Sequence, residues 1–213
     1  ISTRDNWHEI SASHAIKLGM VPQGGLFVPT SIPAVPQDKL KDMVGASYQA
    51  IAQAILELYL DDYFSDEIQA IIGQAYNSNS FGTGAITPVV PLEEGLHILE
   101  LWHGPTAAFK DVALQLMPHL LSRAIQKVGS TKETVILVAT SGDTGKAALE
   151  GFKDVPGTRI IVFYPYQGVS RIQELQMTTT TGNNTHVVGV KGNFDDCQTA
   201  VKAIFGNEEF VSE

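Results

Sequence analysis

TVILVATSGDTGKAALEGF, Thr134 to Phe152, is the stretch whose reading decides the fold. Thr134 to Ala139 is β-branched and apolar without alternation, the composition of a parallel strand buried on both faces. Thr140 to Gly145 is small and glycine-rich, and Lys146 to Phe152 has helical composition. A strand, a glycine-containing turn and a helix N-terminus together form an anion-binding corner, because backbone amides at such a terminus lack intrahelical acceptors. Free amides facing outward and glycines that let a ligand approach are expected there. Gly145-Lys146 invites comparison with a nucleotide-binding P-loop. Thr140 stands where its first glycine should be, and Ala147 replaces the Ser or Thr that would hold magnesium. A plain strand-to-helix turn is the bland alternative.

Downstream the pattern repeats. Strands are predicted at 159–164 and 186–190, and helices at about 144–152, 170–178 and 194–205. Ser170 and Gln173 form a capping box for the middle helix. Asn193 is the expected N-cap of the last, with Asp195 and Asp196 complementing its dipole. Such alternation implies right-handed βαβ units on a parallel sheet. Ligands of open α/β sheets bind at the carboxyl ends of strands, where Ser141 to Gly145 would lie.

Upstream lies LWHGPTAAFKDVALQ, Leu101 to Gln115. Lys110 follows a Gly104-Pro105 turn and a run of small and aromatic residues, and precedes an apolar helical stretch, Val112 to Ile125. An apolar setting disfavours a charged ammonium and makes a lysine nucleophilic, as a Schiff-base lysine requires. The alternative is a lysine snorkelling from the first turn of a buried helix. Phe109 is expected in the core rather than as a stacking partner.

Residues 1–85 read as a mainly helical domain. Ser11 and Ser47 are candidate N-caps, Asp38 a helix start, and Ser65 precedes a further helix. Ile51, Ala54, Ile55 and Leu58 make an amphipathic stripe. Leu26 to Val28 reads as a brief strand. Asp61, Asp62, Asp66 and Glu67 are expected to form a solvated face. Asn77 to Thr83 is polar and reads as a linker, and Val89-Val90 and Leu96 to Trp102 as strands.

The 213 residues are 44% hydrophobic and 17% charged, enough for a real core. A net charge of -9 without a basic patch argues against nucleic acid. No apolar run is long enough to span a bilayer. The single cysteine, Cys197, excludes an internal disulfide and suits a reducing compartment. The two preceding aspartates disfavour its thiolate. The six histidines show no metal spacing.

HGPTAAFKDVALQ and ATSGDTGKAA resemble the two N-terminal signatures of threonine synthase, a pyridoxal-phosphate family of the tryptophan-synthase β-like fold group. ISTRD at Ile1 to Asp5, GGLFVP at Gly24 to Pro29 and GNFDDCQTAVK at Gly192 to Lys202 agree with it, in matching order along the chain. The resemblance implies an α/β architecture of fold type II: a helical N-terminal domain at 1–85, then at 86–213 the N-terminal part of the three-layer, parallel-sheet cofactor-binding domain. It implies a cytoplasmic enzyme of threonine biosynthesis that converts O-phosphohomoserine and water to threonine and phosphate. Lys110 would carry pyridoxal 5′-phosphate as a Schiff base and transfer protons. Ser141, Gly142, Asp143, Thr144 and Gly145 would line the cofactor and receive the substrate carboxylate. Asp143 would accept a hydrogen bond from the cofactor's protonated 3′ oxygen, its alternative role being a helix N-cap. His103, Arg4 and Lys146 are weaker candidates for phosphate contacts. The family's later glycine-rich loop, which holds the cofactor phosphate, has no match here. The chain therefore reads as the N-terminal part of a longer enzyme, cut short after Glu213. A related phospho-lyase releasing a 2-keto acid, or a non-catalytic fragment, are the other readings.

Overall fold

The structure, a computed structural model, describes residues 1–82 and 84–207. Two compact units form: residues 1–87 with 119–131, and residues 88–118 with those from 132 onward.

Several helices of the first unit begin where side chains satisfy exposed amides at their N-termini. α1 (Ala12–Leu18) is capped by the Ser11 hydroxyl and stops at Gly19, at φ 71°. α2 (Gln37–Asp42) starts after Pro36, one residue before the expected Asp38. α3 (Tyr48–Leu56) takes its cap from Ser47. α4 (Ser65–Ala75) contains Ser65 in its first turn, and the Glu67 carboxylate closes the terminus by accepting from the Phe64 amide at 2.9 Å. The stripe Ile68, Ile71, Ile72 and Ala75 is buried. The expected linker contains a one-turn helix, α5 (Ser78–Phe81), because Asn77 accepts from the amides of Asn79 and Ser80 and Phe81 is buried. Thr83 lies outside the described residues. The strand expected at Leu26 to Val28 is reduced to one bridge, Ser2 to Phe27. The solvated acidic face is also corrected at two positions. Asp62 accepts from the backbone and hydroxyl of Ser13. Glu67 is enclosed by Arg123 and Lys127.

The second unit opens with an antiparallel hairpin, β1 (Val89–Glu93) and β2 (Leu96–Leu99), turning at Gly95 with φ 76°. The helix expected from Val112 to Ile125 is broken into α6 (Asp111–Leu114) and α7 (Met117–Lys127). Pro118 causes the break: it has no N–H for the Leu114 carbonyl four residues back. That carbonyl lies instead against Gly151, where any Cβ would collide with it.

The predicted alternation follows: β3 (Thr134–Ala139), α8 (Asp143–Phe152), β4 (Thr158–Pro165), α9 (Arg171–Thr178), β5 (Thr185–Val190) and α10 (Phe194–Phe205). The strands are parallel in the order β3-β4-β5, with Thr134 opposite Thr158 and Ile160 opposite Thr185. Thr158, Ile160, Val162 and Tyr164 are buried while Arg159 is exposed and Ile161 and Phe163 are half-buried, so β4 presents one face to the core. Both α8 and α10 pack on β3 and β4, and α8 also on α9. Leu149 is fully buried; enclosing such a side chain stabilises by roughly 1.5–3 kcal/mol. The Ser170–Gln173 capping box and the Asn193 cap form as expected. Cys197 is buried, and desolvation with the nearby Asp196 charge pushes its thiol up.

Candidate functional site

The site is built from two segments of the second unit. The first is the loop before α6. Asp111, fully buried, accepts from the Thr106 amide at 2.9 Å, the Thr106 hydroxyl at 2.7 Å and the Ala108 amide at 3.4 Å. Gly104 lies so close to the Asp111 side chain that a Cβ would overlap it. Ala107 takes a left-handed φ of 55°, a conformation that costs a non-glycine residue roughly 1 kcal/mol or more. Asp111 supplies the hydrogen bonds that hold that geometry. Nothing in the spacing of the motif marked Asp111 out. Its signal was a carboxylate at the start of a helix, facing back on a turn with a Thr five residues before it.

This loop delivers Lys110 to the N-cap of α6, in helical conformation and half-buried. Its Nζ lies 4.2 Å from the centroid of the Phe109 ring. The expectation of a core Phe109 is overturned: the residue is 61% exposed. The negative face of the ring attracts the ammonium, and the pair forms at the surface.

The second segment is the corner between β3 and α8. Thr140 is buried, and its hydroxyl oxygen accepts from the amides of Gly142 at 3.0 Å and Gly145 at 2.9 Å. Those two amides are therefore not free for a ligand, contrary to the open corner expected. The amides of Asp143 and Thr144 have no acceptor among the described residues. The glycines also have internal reasons. A Cβ on Gly145 would lie 2.5 Å from Thr140 Cγ2 and 2.8 Å from Val162. Gly142, at φ 139°, has Gln173 Cδ 2.5 Å from where its Cβ would be. Ser141 is exposed and Thr144 half-buried. Thr140 and Gln173 escaped the sequence reading as site residues. Thr140 reads in the sequence only as a missing P-loop glycine and Gln173 only as a helix cap, because the one closes a turn on nearby amides and the other meets Asp143 from 30 residues away.

Asp143 sits in the first turn of α8, after Gly142 at the N-cap, so its side chain is not the cap. Its Oδ1 accepts from Gln173 Nε2 at 2.9 Å and pairs with Lys146 Nζ at 3.4 Å. The Gln173 hydrogen bond, then Lys146 and finally the charge of Lys110, outweigh partial burial and hold its carboxyl below the usual aspartate range. The element that follows Lys110, α6, packs against α8, which carries the corner. The weaker candidates have other engagements. His103 Nε2 is 2.6 Å from Glu100. Lys146 is buried against Asp143. Arg4 belongs to the first unit, with its guanidinium against Gly24. Among the described residues no cluster of His, Cys, Asp or Glu could hold a metal, and no helix is long and apolar enough to cross a membrane.

Residues 1–76 match the family model described as threonine synthase N terminus. Threonine synthase of Schizosaccharomyces pombe is 38% identical over 218 residues, which are 99% of this chain and 42% of that protein. Human threonine synthase-like 1 is 40% identical over 227 residues, 99% of this chain and 30% of that protein. Among solved structures, PLP-bound threonine synthase from Brucella melitensis superposes with a TM-score of 0.91 at 35% identity, covering 100% of this chain and 45% of that one. The chain thus spans less than half the length of the relatives it matches. In sequence and in fold, the chain matches the N-terminal portion of the threonine synthase family.

Proposed function

We propose that the chain is the N-terminal portion of a pyridoxal-phosphate-dependent lyase that converts O-phosphohomoserine and water to threonine and phosphate, with Lys110 holding the cofactor. The observation that carries this reading is the packing of α6, headed by the half-buried Lys110, against α8, at whose first turn the amides of Asp143 and Thr144 have no acceptor among the described residues. The residues present fit the reactive end of the cofactor and a carboxylate. They offer an amine for its aldehyde, two amides for an anion, and in Asp143 a carboxylate already matched by Gln173 and Lys146.

When bound, pyridoxal phosphate supplies an electron sink for charge on the amino-acid carbons. The protein's share is positioning and proton transfer. The loop braced by Asp111 sets the direction of Lys110. The amides of Asp143 and Thr144, at the positive end of α8, suit the carboxylate of an amino-acid substrate. Lys110 Nζ would be the group that takes and returns protons at the substrate carbons. Cytoplasmic location belongs to the same proposal, supported by the lone, buried Cys197.

A second reading has its own observation. Identity to human threonine synthase-like 1, at 40%, is as high as that to the threonine synthase of Schizosaccharomyces pombe, at 38%. A phospho-lyase would use the same Lys110 and release a 2-keto acid. Product analysis on the full-length protein separates them: threonine and phosphate are expected, and 2-oxobutanoate with ammonia would overturn the assignment. For this chain, addition of pyridoxal phosphate should raise a visible absorbance band that K110A lacks. A chain with no such band is the non-catalytic fragment.

A further inference from the structure

Gln173 reaches from α9 to the corner, and both polar atoms of its amide group are engaged. Its Oε1 accepts from the Ser170 amide at 3.1 Å, closing the capping box, and its Nε2 donates to Asp143 Oδ1 at 2.9 Å. Its amide group also fills the space beside Gly142, where a Cβ would meet Cδ at 2.5 Å and Nε2 at 2.6 Å. Lys146 approaches the same oxygen, Oδ1, at 3.4 Å. Oδ2 has no partner among the described residues. Gly142 at φ 139° has no side chain of its own to hold the turn.

We infer that Gln173 is a positioning residue of the site: it locks Asp143 through Oδ1, so that Oδ2 is presented as a hydrogen-bond acceptor for a hydroxyl donor of the bound group. The inference rests on the reading above for the identity of that group. It rests on geometry alone for the Gln173–Asp143 lock. A capping box needs only a carbonyl-type acceptor at its third position, and Glu serves as well as Gln. An amide nitrogen is needed only for Asp143. The charged neighbours of Asp143 are Lys146 on its own helix and Lys110 from the α6 segment; α9 contributes the neutral Gln173.

This separation of roles makes a test. Q173E keeps the size and the cap but replaces the donor by a like charge. Q173M keeps the volume beside Gly142 and is neutral, which covers the case of a poorly folded Q173E. S170A removes the cap hydroxyl and leaves the Asp143 contact. Carboxyl NMR of Asp143 in the 213-residue chain, without cofactor, should show its titration moved upward in Q173E and Q173M and unmoved in S170A. Visible titration with pyridoxal phosphate should show binding weakened about tenfold or more in Q173E, the scale of a lost hydrogen bond to a charged group, with S170A like wild type. Wild-type titration of Asp143 in both Gln173 variants would overturn the lock. An upward shift with unchanged cofactor affinity would overturn the positioning role. A full-length protein with no visible band would overturn the functional reading, and the NMR result would still decide the lock.

Discussion

At the scale of single residues, the site depends on polar atoms that the sequence motif does not advertise. Asp111 is the main case. Replacing it by alanine leaves the Thr106 amide, the Thr106 hydroxyl and the Ala108 amide without their acceptor in a buried loop. An orphaned buried donor costs about 1–3 kcal/mol, so D111A should lose about 3 kcal/mol in urea unfolding and shift the left-handed Ala107. A loss under about 0.5 kcal/mol, the size typical of an unremarkable surface change, would show that the loop is held otherwise. Lys110 was legible because an amine in a small and aromatic run is unusual. Asp111, Thr140 and Gln173 were not, because their partners lie at turns whose geometry periodicity does not describe. Phe109 was misjudged for a related reason. Aromatic character signals burial in a core, whereas here the ring's face is taken by an ammonium at the surface.

At the scale of elements, the βα alternation was readable since each strand is an apolar β-branched run and both α9 and α10 start with a side chain able to cap them. The errors fall where composition does not separate alternatives. Asn77 to Phe81 has a linker's residues, yet Asn77 caps a turn that buries Phe81. The stretch from Val112 to Ile125 has a helix's residues, yet Pro118 divides it. The freed Leu114 carbonyl makes Gly151 a steric necessity. In an ordinary helix Gly→Ala gains about 1 kcal/mol, but a Cβ here meets backbone that no rotamer relieves. Overpacking of that kind costs about 1–3 kcal/mol, so the clash should win, and G151A should lower thermal stability. A raised melting temperature would mean that α6 moves away freely.

At the scale of the whole molecule, the first unit carries an ionic anchor whose effect depends on pH. Burial opposes the charge on Glu67, but hydrogen bonds from Lys127, Arg123 and the Phe64 amide prevail and hold its carboxyl at about 2, below the ordinary 4.5. A depressed carboxyl pKa stabilises the folded state fully above the unfolded value and loses that contribution as pH falls through the folded one. Wild type should therefore exceed E67Q in stability by a constant margin above about pH 4.5, with the margin closing between there and about pH 2. A margin that does not change with pH would place the effect in packing rather than charge. The second unit holds both Lys110 and the β3–α8 corner of the proposed chemistry. The measurement that tests the central claim most directly is borohydride reduction of the chain with pyridoxal phosphate, followed by peptide mass spectrometry. The account predicts the cofactor's mass on the peptide containing Lys110, with none on that of Lys146 and none in K110A; labelling spread over exposed lysines, or undiminished in K110A, would contradict it.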